Sequence, residues 1–354
     1  MTVLSIAYPF APIGPDCVGG AEQILTYLDQ ALVAAGHTSL VLACEGSAAA
    51  GTLISFPQSC GELNNKDKQE FCRRQLQAAL DRTLATQQID LIHMHGFDFH
   101  EYRLPPEIPI LVTLHLPFAW YPYEIWSKLP ANVYVQFVSK TQQLSCPAAL
   151  SHAPVIPNGV EISPARKKTG DFAIVLGRIC PEKNQHAALE AGFLANTAVA
   201  LGGRVFPFAE HQAYFCDKVA PLLQQKHPSI QHIFYGPLSR ARSLQLLSKA
   251  KCLLHPTLAP ETSSLAAMEA MAAGTPVIAY RSGALPEIVE HGITGFLVDS
   301  VEEMAAAIHR VHTIRAEDCL VAAAQRFSKQ RMIEQYFQLY YKIIHSPQQQ
   351  RLYA

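Results

Sequence analysis

Short apolar runs alternate with longer amphipathic stretches along most of the chain. Val3–Tyr8 reads as a first strand, and a Gly/Pro loop leads from it into AEQILTYLDQALVAAGH. There Ile24, Leu28, Ala31, Leu32 and Ala35 recur at helical spacing and Gly36 closes the stretch, which predicts a helix. Ser39–Ala43, Asp90–His95, Ile110–Thr113 and Val133–Val138 are further apolar runs ending in polar or turn residues. A second series comprises Phe172–Leu176, Thr197–Leu201, Ile230–Tyr235, Cys252–His255 and Pro276–Ala279. Strands spaced by helices in this way predict βαβ units and parallel sheets. Between the series, VIPNGVEISPARKKTG is rich in Pro, Gly and charge and marks a linker at about residues 155–170. A last helix, Ser328–Ile344, carries Ile333, Tyr336, Tyr340 and Ile343 on one face, and the tail SPQQQRLYA reads as frayed. The expectation is an α/β chain of two doubly wound parallel-sheet domains facing each other across a cleft. Residues 1–157 form the first domain and 158–327 the second, with the last helix (328–345) packing back on the first. In such sheets ligands bind outside the carboxyl ends of the strands.

Composition narrows the class. Of 354 residues 49% are hydrophobic and 16% charged, which excludes a disordered polypeptide and leaves room for two cores. Lys and Arg number 28 against 29 Asp and Glu, a formal charge of −1, which argues against a protein that neutralises nucleic-acid phosphates. The nine cysteines are scattered, with no CxxC, so neither a disulfide framework nor a zinc ribbon is expected, and the cytoplasm is the expected compartment. MTVLSIAYPFAPIG lacks a basic leader region, and no apolar stretch reaches the roughly 18 residues of a membrane span.

Three constellations carry candidate chemistry. The first loop, GPDCVGGAE, is neither a Walker A loop nor GxGxxG. Gly19 and Gly20 at its junction with a helix make either a tight turn or a close backbone approach to an anion. Arg178 and Lys183, in GRICPEKN directly after a strand, are either a solvated pair or the cations of a diphosphate site. The third segment runs HPTLAPETSSLAAMEAMAAGTPVI, with a helix starting near Thr262 or Ser263 and ending at Gly274. Leu265, Met268 and Ala272 line one face of it, and Glu269 borders that stripe. A carboxylate there needs hydrogen-bond donors, supplied either by ribose hydroxyls or by a neighbouring basic residue. The N–H groups of Ser263, Ser264 and Leu265 suit a phosphate, and Glu261 is placed to accept from sugar hydroxyls.

Other signals are weaker. His93 and His95 alternate on a strand with His100 and His115 downstream, a pattern compatible with zinc but without supporting ligands at useful spacing. His95 is expected to line the cleft on the acceptor side. The polar helix Lys66–Gln87 offers either a solvated face or a contact for a membrane carrying a lipid acceptor, and Ala165–Lys168 reads as a wet loop.

Taken in order, GGAE (19–22), TLH (113–115), PNGV (157–160), GR-x4-K (177–183), E-x7-E (261–269) and SGALPEIVEHGITGFLV (282–298) resemble the retaining glycosyltransferases of family 4. The resemblance implies a GT-B fold, with an acceptor-side N-terminal Rossmann-like domain and a C-terminal domain that binds a nucleoside-diphosphate sugar. It implies that Arg178 and Lys183 neutralise the donor diphosphate, Glu269 holds the ribose and Glu261 holds the transferred sugar. Gly19 and Gly20 would close over phosphates or sugar, His115 would lie near the reacting centre, and the base would sit near Tyr235–Leu238. Ser264 departs from the family pattern, where a glycine is common. No D-x-D motif is present, so the expected reaction is a metal-independent, retaining hexose transfer to a saccharide, lipid-linked or small hydroxyl acceptor, with the donor as substrate and no cofactor. A nucleotide-sugar epimerase and a non-catalytic sugar-nucleotide binder on the same fold are the alternatives.

Overall fold

The computed structural model describes residues 1–17, 19–57, 66–162 and 170–345. The 163–169 part of the linker, which includes the 165–168 run, and the tail after His345 lie outside the described residues. Two compact units divide the chain: Met1–Asn158 with the segment from Gln330 onward, and Gly159–Lys329.

In the first unit six parallel strands are described: β1 (Thr2–Ile6), β2 (Thr38–Cys44), β3 (Thr52–Phe56), β4 (Leu91–Met94), β5 (Ile110–Leu114) and β6 (Val133–Phe137). They lie in the order β3-β2-β1-β4-β5-β6. The second unit repeats the plan with β7 (Phe172–Leu176), β8 (Ala198–Gly202), β9 (Ile233–Gly236), β10 (Cys252–His255), β11 (Val277–Tyr280) and β12 (Gly295–Val298), ordered β12-β11-β10-β7-β8-β9. Each sheet therefore reverses its winding direction once, between β1 and β4 and between β7 and β10. Loops leaving the carboxyl ends of those strands flank the crevice where doubly wound sheets hold ligands. The central strands are apolar on both faces because helices cover both, as in β5, whose residues are all buried.

Two strands are absent from the sequence expectations. β3 is a half-exposed edge strand that gives no clear apolar run, whereas β12 is buried throughout but opens on a glycine directly after the turn residues HGIT. β9 begins at Ile233 rather than Ile230. The first helix, Gly20–Ala34, buries Ile24, Leu25, Leu28 and Leu32, but Ala35 lies beyond it and is exposed. Gly36, at φ +74°, turns the chain out of the helix. The helix Lys66–Thr86 buries Cys72, Leu76, Ala79 and Leu80.

At the C-terminus the structure has two successive helices, Ala316–Phe327 and Lys329–His345. Ser328 between them is extended, clamped where Val160 N–H donates to Phe327 O and Lys329 N–H donates to Val160 O. The last helix belongs to the first unit and buries Met332, Ile333, Tyr336, Leu339, Tyr340 and Ile343. Its tyrosines reach into the sheet: Tyr336 Oη donates to Gln136 Oε1 at 2.8 Å, and Tyr340 Oη lies 2.8 Å from His93 Nδ1. Among the described residues no helix is long and apolar enough to cross a membrane.

Candidate functional site

The second unit carries most of the candidate residues, and the strand order explains how Lys183 and Glu261 come together. β7 and β10 are neighbours, so the loop carrying Arg178 and Lys183 and the loop carrying Glu261 leave the sheet side by side. The loops are laced together, because Leu258 N–H (2.8 Å) and Thr257 Oγ1 (3.1 Å) both donate to Glu182 O. A third loop, after β11, braces the second: Ala284 N–H donates to Glu261 O at 2.7 Å and Ser282 Oγ to Ala259 O at 2.7 Å. Gly283, at φ +53°, allows that approach, since a Cβ there would collide with the Glu261 backbone. The SGALPE segment is thus a buttress for Glu261.

At the centre Lys183 Nζ donates to Glu261 Oε1. His255 Nε2 lies 3.3 Å from the same oxygen and 3.2 Å from Ser264 Oγ. Burial opposes the Glu261 charge, but the His255 hydrogen bond and the Lys183 ammonium outweigh it and hold the carboxyl down at about 2. The bond to Glu261 uses one of the three Lys183 donors. Arg178 is exposed at the mouth of the same loop, just after Gly177 at φ +145°.

The helix after this loop runs Leu265–Ala272, later than Thr262 or Ser263 as the sequence suggests, because Ser264 is its cap: Ser264 Oγ accepts from Ala267 N–H at 3.3 Å. Ser263 therefore precedes the helix, and the first-turn N–H groups are those of Leu265 and Ala266 rather than of Ser263 and Ser264. Serine in place of glycine at 264 has a local reason, since it both caps the helix and meets His255. Ser263 Oγ is buried with no hydrogen-bond partner among the described residues. Met268 and Ala272 are buried as the spacing predicts, and Glu269 at their border meets Arg240 Nη1 at 2.6 Å. Of the two partners open to Glu269 in the sequence, the structure shows the basic one.

In the first unit Gly19 is the cap residue of Gly20–Ala34 and offers no side-chain bond. A Cβ on Gly19 would collide with the Glu22 carboxyl, which is buried and consequently raised in pKa. His115, after β5, lies with Nε2 3.1 Å from His95 Nδ1, and burial pushes its pKa down to about 3. His93 is not a metal ligand here. Both its ring nitrogens are taken, by Tyr340 Oη and by Thr113 Oγ1 at 2.8 Å each.

Sequence reasoning assigned no role to Arg240, His255 or Glu22. His255 and Glu22 stand inside quoted motifs, but Arg240 carries no local signal.

Comparison with known proteins agrees with this layout. The family described as glycosyl transferases group 1 matches residues 161–330, and the one described as Glycosyltransferase Family 4 matches residues 18–163. An N-acetyl-alpha-D-glucosaminyl L-malate synthase of Bacillus anthracis is 25% identical over 138 residues, 37% of this chain and 35% of that protein. The chain thus aligns with only about a third of that curated relative's length. Among solved structures, sucrose-phosphate synthase from Thermosynechococcus elongatus superposes with a TM-score of 0.74 at 20% identity, covering 97% of this chain and 99% of that one. The Anabaena HepE protein in complex with UDP-glucose gives 0.70 at 20% identity, covering 96% and 99%. Two matched glycosyltransferase regions in succession, on two six-stranded parallel sheets, settle the family: the chain belongs to the family 4 glycosyltransferases and has the GT-B fold.

Proposed function

We propose that this protein transfers a hexose from a nucleoside-diphosphate sugar to a hydroxyl acceptor, with retention and without a metal at the diphosphate. The observation that carries the reading is the junction of Lys183 and Glu261 at the switch point between β7 and β10. A half-buried ammonium, an exposed guanidinium and a helix N-terminus in one unit suit a pyrophosphate leaving group, whose developing charge they would stabilise. In this reading Arg178 and Lys183 take the diphosphate, aided by the first-turn N–H groups of Leu265 and Ala266 and by the Ser263 hydroxyl. Glu269 holds the ribose while keeping its contact with Arg240. Glu261, kept ionised, accepts from the hydroxyls of the transferred sugar. In the first unit, Gly19 and Gly20 are assigned to donor binding and His115, a neutral ring, to catalysis. The departing phosphate takes the acceptor proton in a same-face displacement.

The test is calorimetric titration of UDP, GDP and ADP into the wild type and Lys183→Ala, followed by product analysis of the matching sugar nucleotide with and without acceptors. Binding of one nucleotide, lost in the variant, with transfer that needs an acceptor, supports the reading. Silence of all three nucleotides removes it, and turnover without acceptor to an isomeric sugar nucleotide turns it into an epimerase.

A further inference from the structure

Between Arg178 and Lys183, the loop after β7 carries two ligand-type side chains that donor binding leaves unused. Cys180 is fully buried and Glu182 reaches the surface. His211 approaches them from the short helix Ala209–Tyr214. One ligand atom from each of the three, the Cys180 Sγ, a Glu182 carboxylate oxygen and a His211 ring nitrogen, lies within 4.8 Å of the others. A tetrahedral centre with bonds of about 2.0–2.3 Å sets its ligand atoms roughly 3–4 Å apart, so side-chain rotation suffices to close the set.

His211 supplies an independent sign. The residue is 7% exposed, and its Nδ1 is buried with no hydrogen-bond partner among the described residues. Phe206 and Phe208 meet the ring edge-on, at 6.5 and 5.1 Å between centroids. An unsatisfied buried nitrogen is costly, and in native proteins it calls for a reason.

We propose that Cys180, Glu182 and His211 bind one borderline-soft divalent cation of the zinc type, with water in the fourth position. A thiolate and an imidazole in the donor set select such an ion over magnesium or calcium. On binding, the Cys180 thiol gives up its proton to solvent, and the sulfur–metal bond replaces the thiol's hydrogen bonds to Glu182 and to Arg178 O (3.6 Å). Thiolate and carboxylate together cancel the charge of the ion, so Arg178 and Lys183 keep their positive field. The ion would tie the turn Pro181–Lys183 to the helix Ala209–Tyr214 and fix the distance between the two cations. The site stands whether or not the chain binds a sugar nucleotide.

The experiment is an anaerobic titration of the chelator-stripped full chain with Co2+. The expected result is a thiolate-to-cobalt charge-transfer band in the near ultraviolet that saturates at one cobalt per chain and is bleached by Zn2+. Cys180→Ser should abolish the band, and Glu182→Gln and His211→Gln should weaken cobalt binding at least about 10-fold with an unchanged circular dichroism spectrum. No band, or a band that survives Cys180→Ser because another cysteine supplies the sulfur, overturns the proposal. If Cys180→Ser does not fold, wild-type cobalt affinity in Glu182→Gln overturns it instead.

Discussion

Arg240 Nη1 stands 2.6 Å from Glu269 Oε1, joining the start of the helix Arg240–Lys249 to the middle of Leu265–Ala272. The side chains are 19% and 12% exposed, so the pair is largely out of water. Removing one member strands the other charge, whereas removing both does not. Arg240→Met and Glu269→Gln are each expected to destabilise the second unit, and the double variant by less than their sum. A double-mutant cycle in urea should give a coupling of roughly 0.5–3 kcal/mol, and additivity within about 0.3 kcal/mol would deny the pair any energetic role. If Glu269 also holds the ribose, Arg240→Met should raise the donor KM more than it lowers kcat, because the carboxylate loses its orientation.

Lys183 and Glu261 make a second prediction, in acid. The carboxyl falls from the ordinary 4.5 to about 2: burial works against this, and His255 and Lys183 overcome it. A depressed carboxyl stabilises the fold fully above its unfolded pKa, and that contribution is lost as pH falls from 4.5 toward 2. Lys183→Met should shrink the pH dependence in this window, measured by urea unfolding from pH 5 to pH 2. The same variant should weaken nucleotide binding roughly 10- to 100-fold, the size of one charge-assisted hydrogen bond. Unchanged calorimetric affinity would remove Lys183 from the donor site.

What was legible in the sequence was local. The alternation of strands and helices, Arg178 and Lys183 behind β7, and the seven residues between Glu261 and Glu269 all lie within single βαβ units. Pairs that depend on strand order were not legible. Arg240 meets Glu269, and His211 comes within reach of Cys180, only once β10 packs beside β7 with β8 and β9 beyond it. The same limit applies to His93, whose alternation on a strand suggested a metal until two tyrosines far along the chain proved to frame it. Ser264 shows the converse: its departure from the family pattern is visible in the sequence, but its work as a helix cap is not.

Gly203 tests how tightly the Arg178 loop is held. It follows β8, and a Cβ at this position would collide with the Gly177 carbonyl, a backbone group that cannot swing aside. Gly177 N–H donates to Gly202 O at 3.1 Å and Ile179 N–H to Arg204 O at 2.9 Å, so any shift is passed on to Arg178. Gly203→Ala should cost about 1–3 kcal/mol, as overpacking does, and weaken nucleotide binding as well. Gly36→Ala is the control, since its φ of +74° brings strain but no neighbour lies within 4 Å. It should lower the melting temperature and leave binding untouched, and equal binding losses in the two variants would refute the loop argument.

Histidines shielded from water steepen the response to mild acid. Burial lowers the pKa of His93, His95 and His115 in the first unit and of His232 in the second, the last to about 4. Burial holds His232 neutral against the opposing pull of its Nε2–H bond to Leu189 O, while Val199 N–H donates to Nδ1, each bond being 3.0 Å long. The unfolded chain takes up protons on these rings below the ordinary 6.5, while the folded chain does not. Their contribution is therefore complete above pH 6.5 and is lost as pH falls below it, until the folded rings themselves titrate at about 4 for His232 and about 3 for His115. Each ring adds about 1.4 kcal/mol per pH unit to the slope of stability in that window. Urea midpoints should drop steeply from pH 6.5 to pH 5.5, and His93→Gln, which keeps hydrogen-bonding capacity without titrating, should reduce the slope of the first unit by one proton. Since His115 stays neutral throughout, kcat should show no inflection near 6.5 from this residue, and a flat stability profile across the same interval would mean that these rings are not shielded as the structure places them.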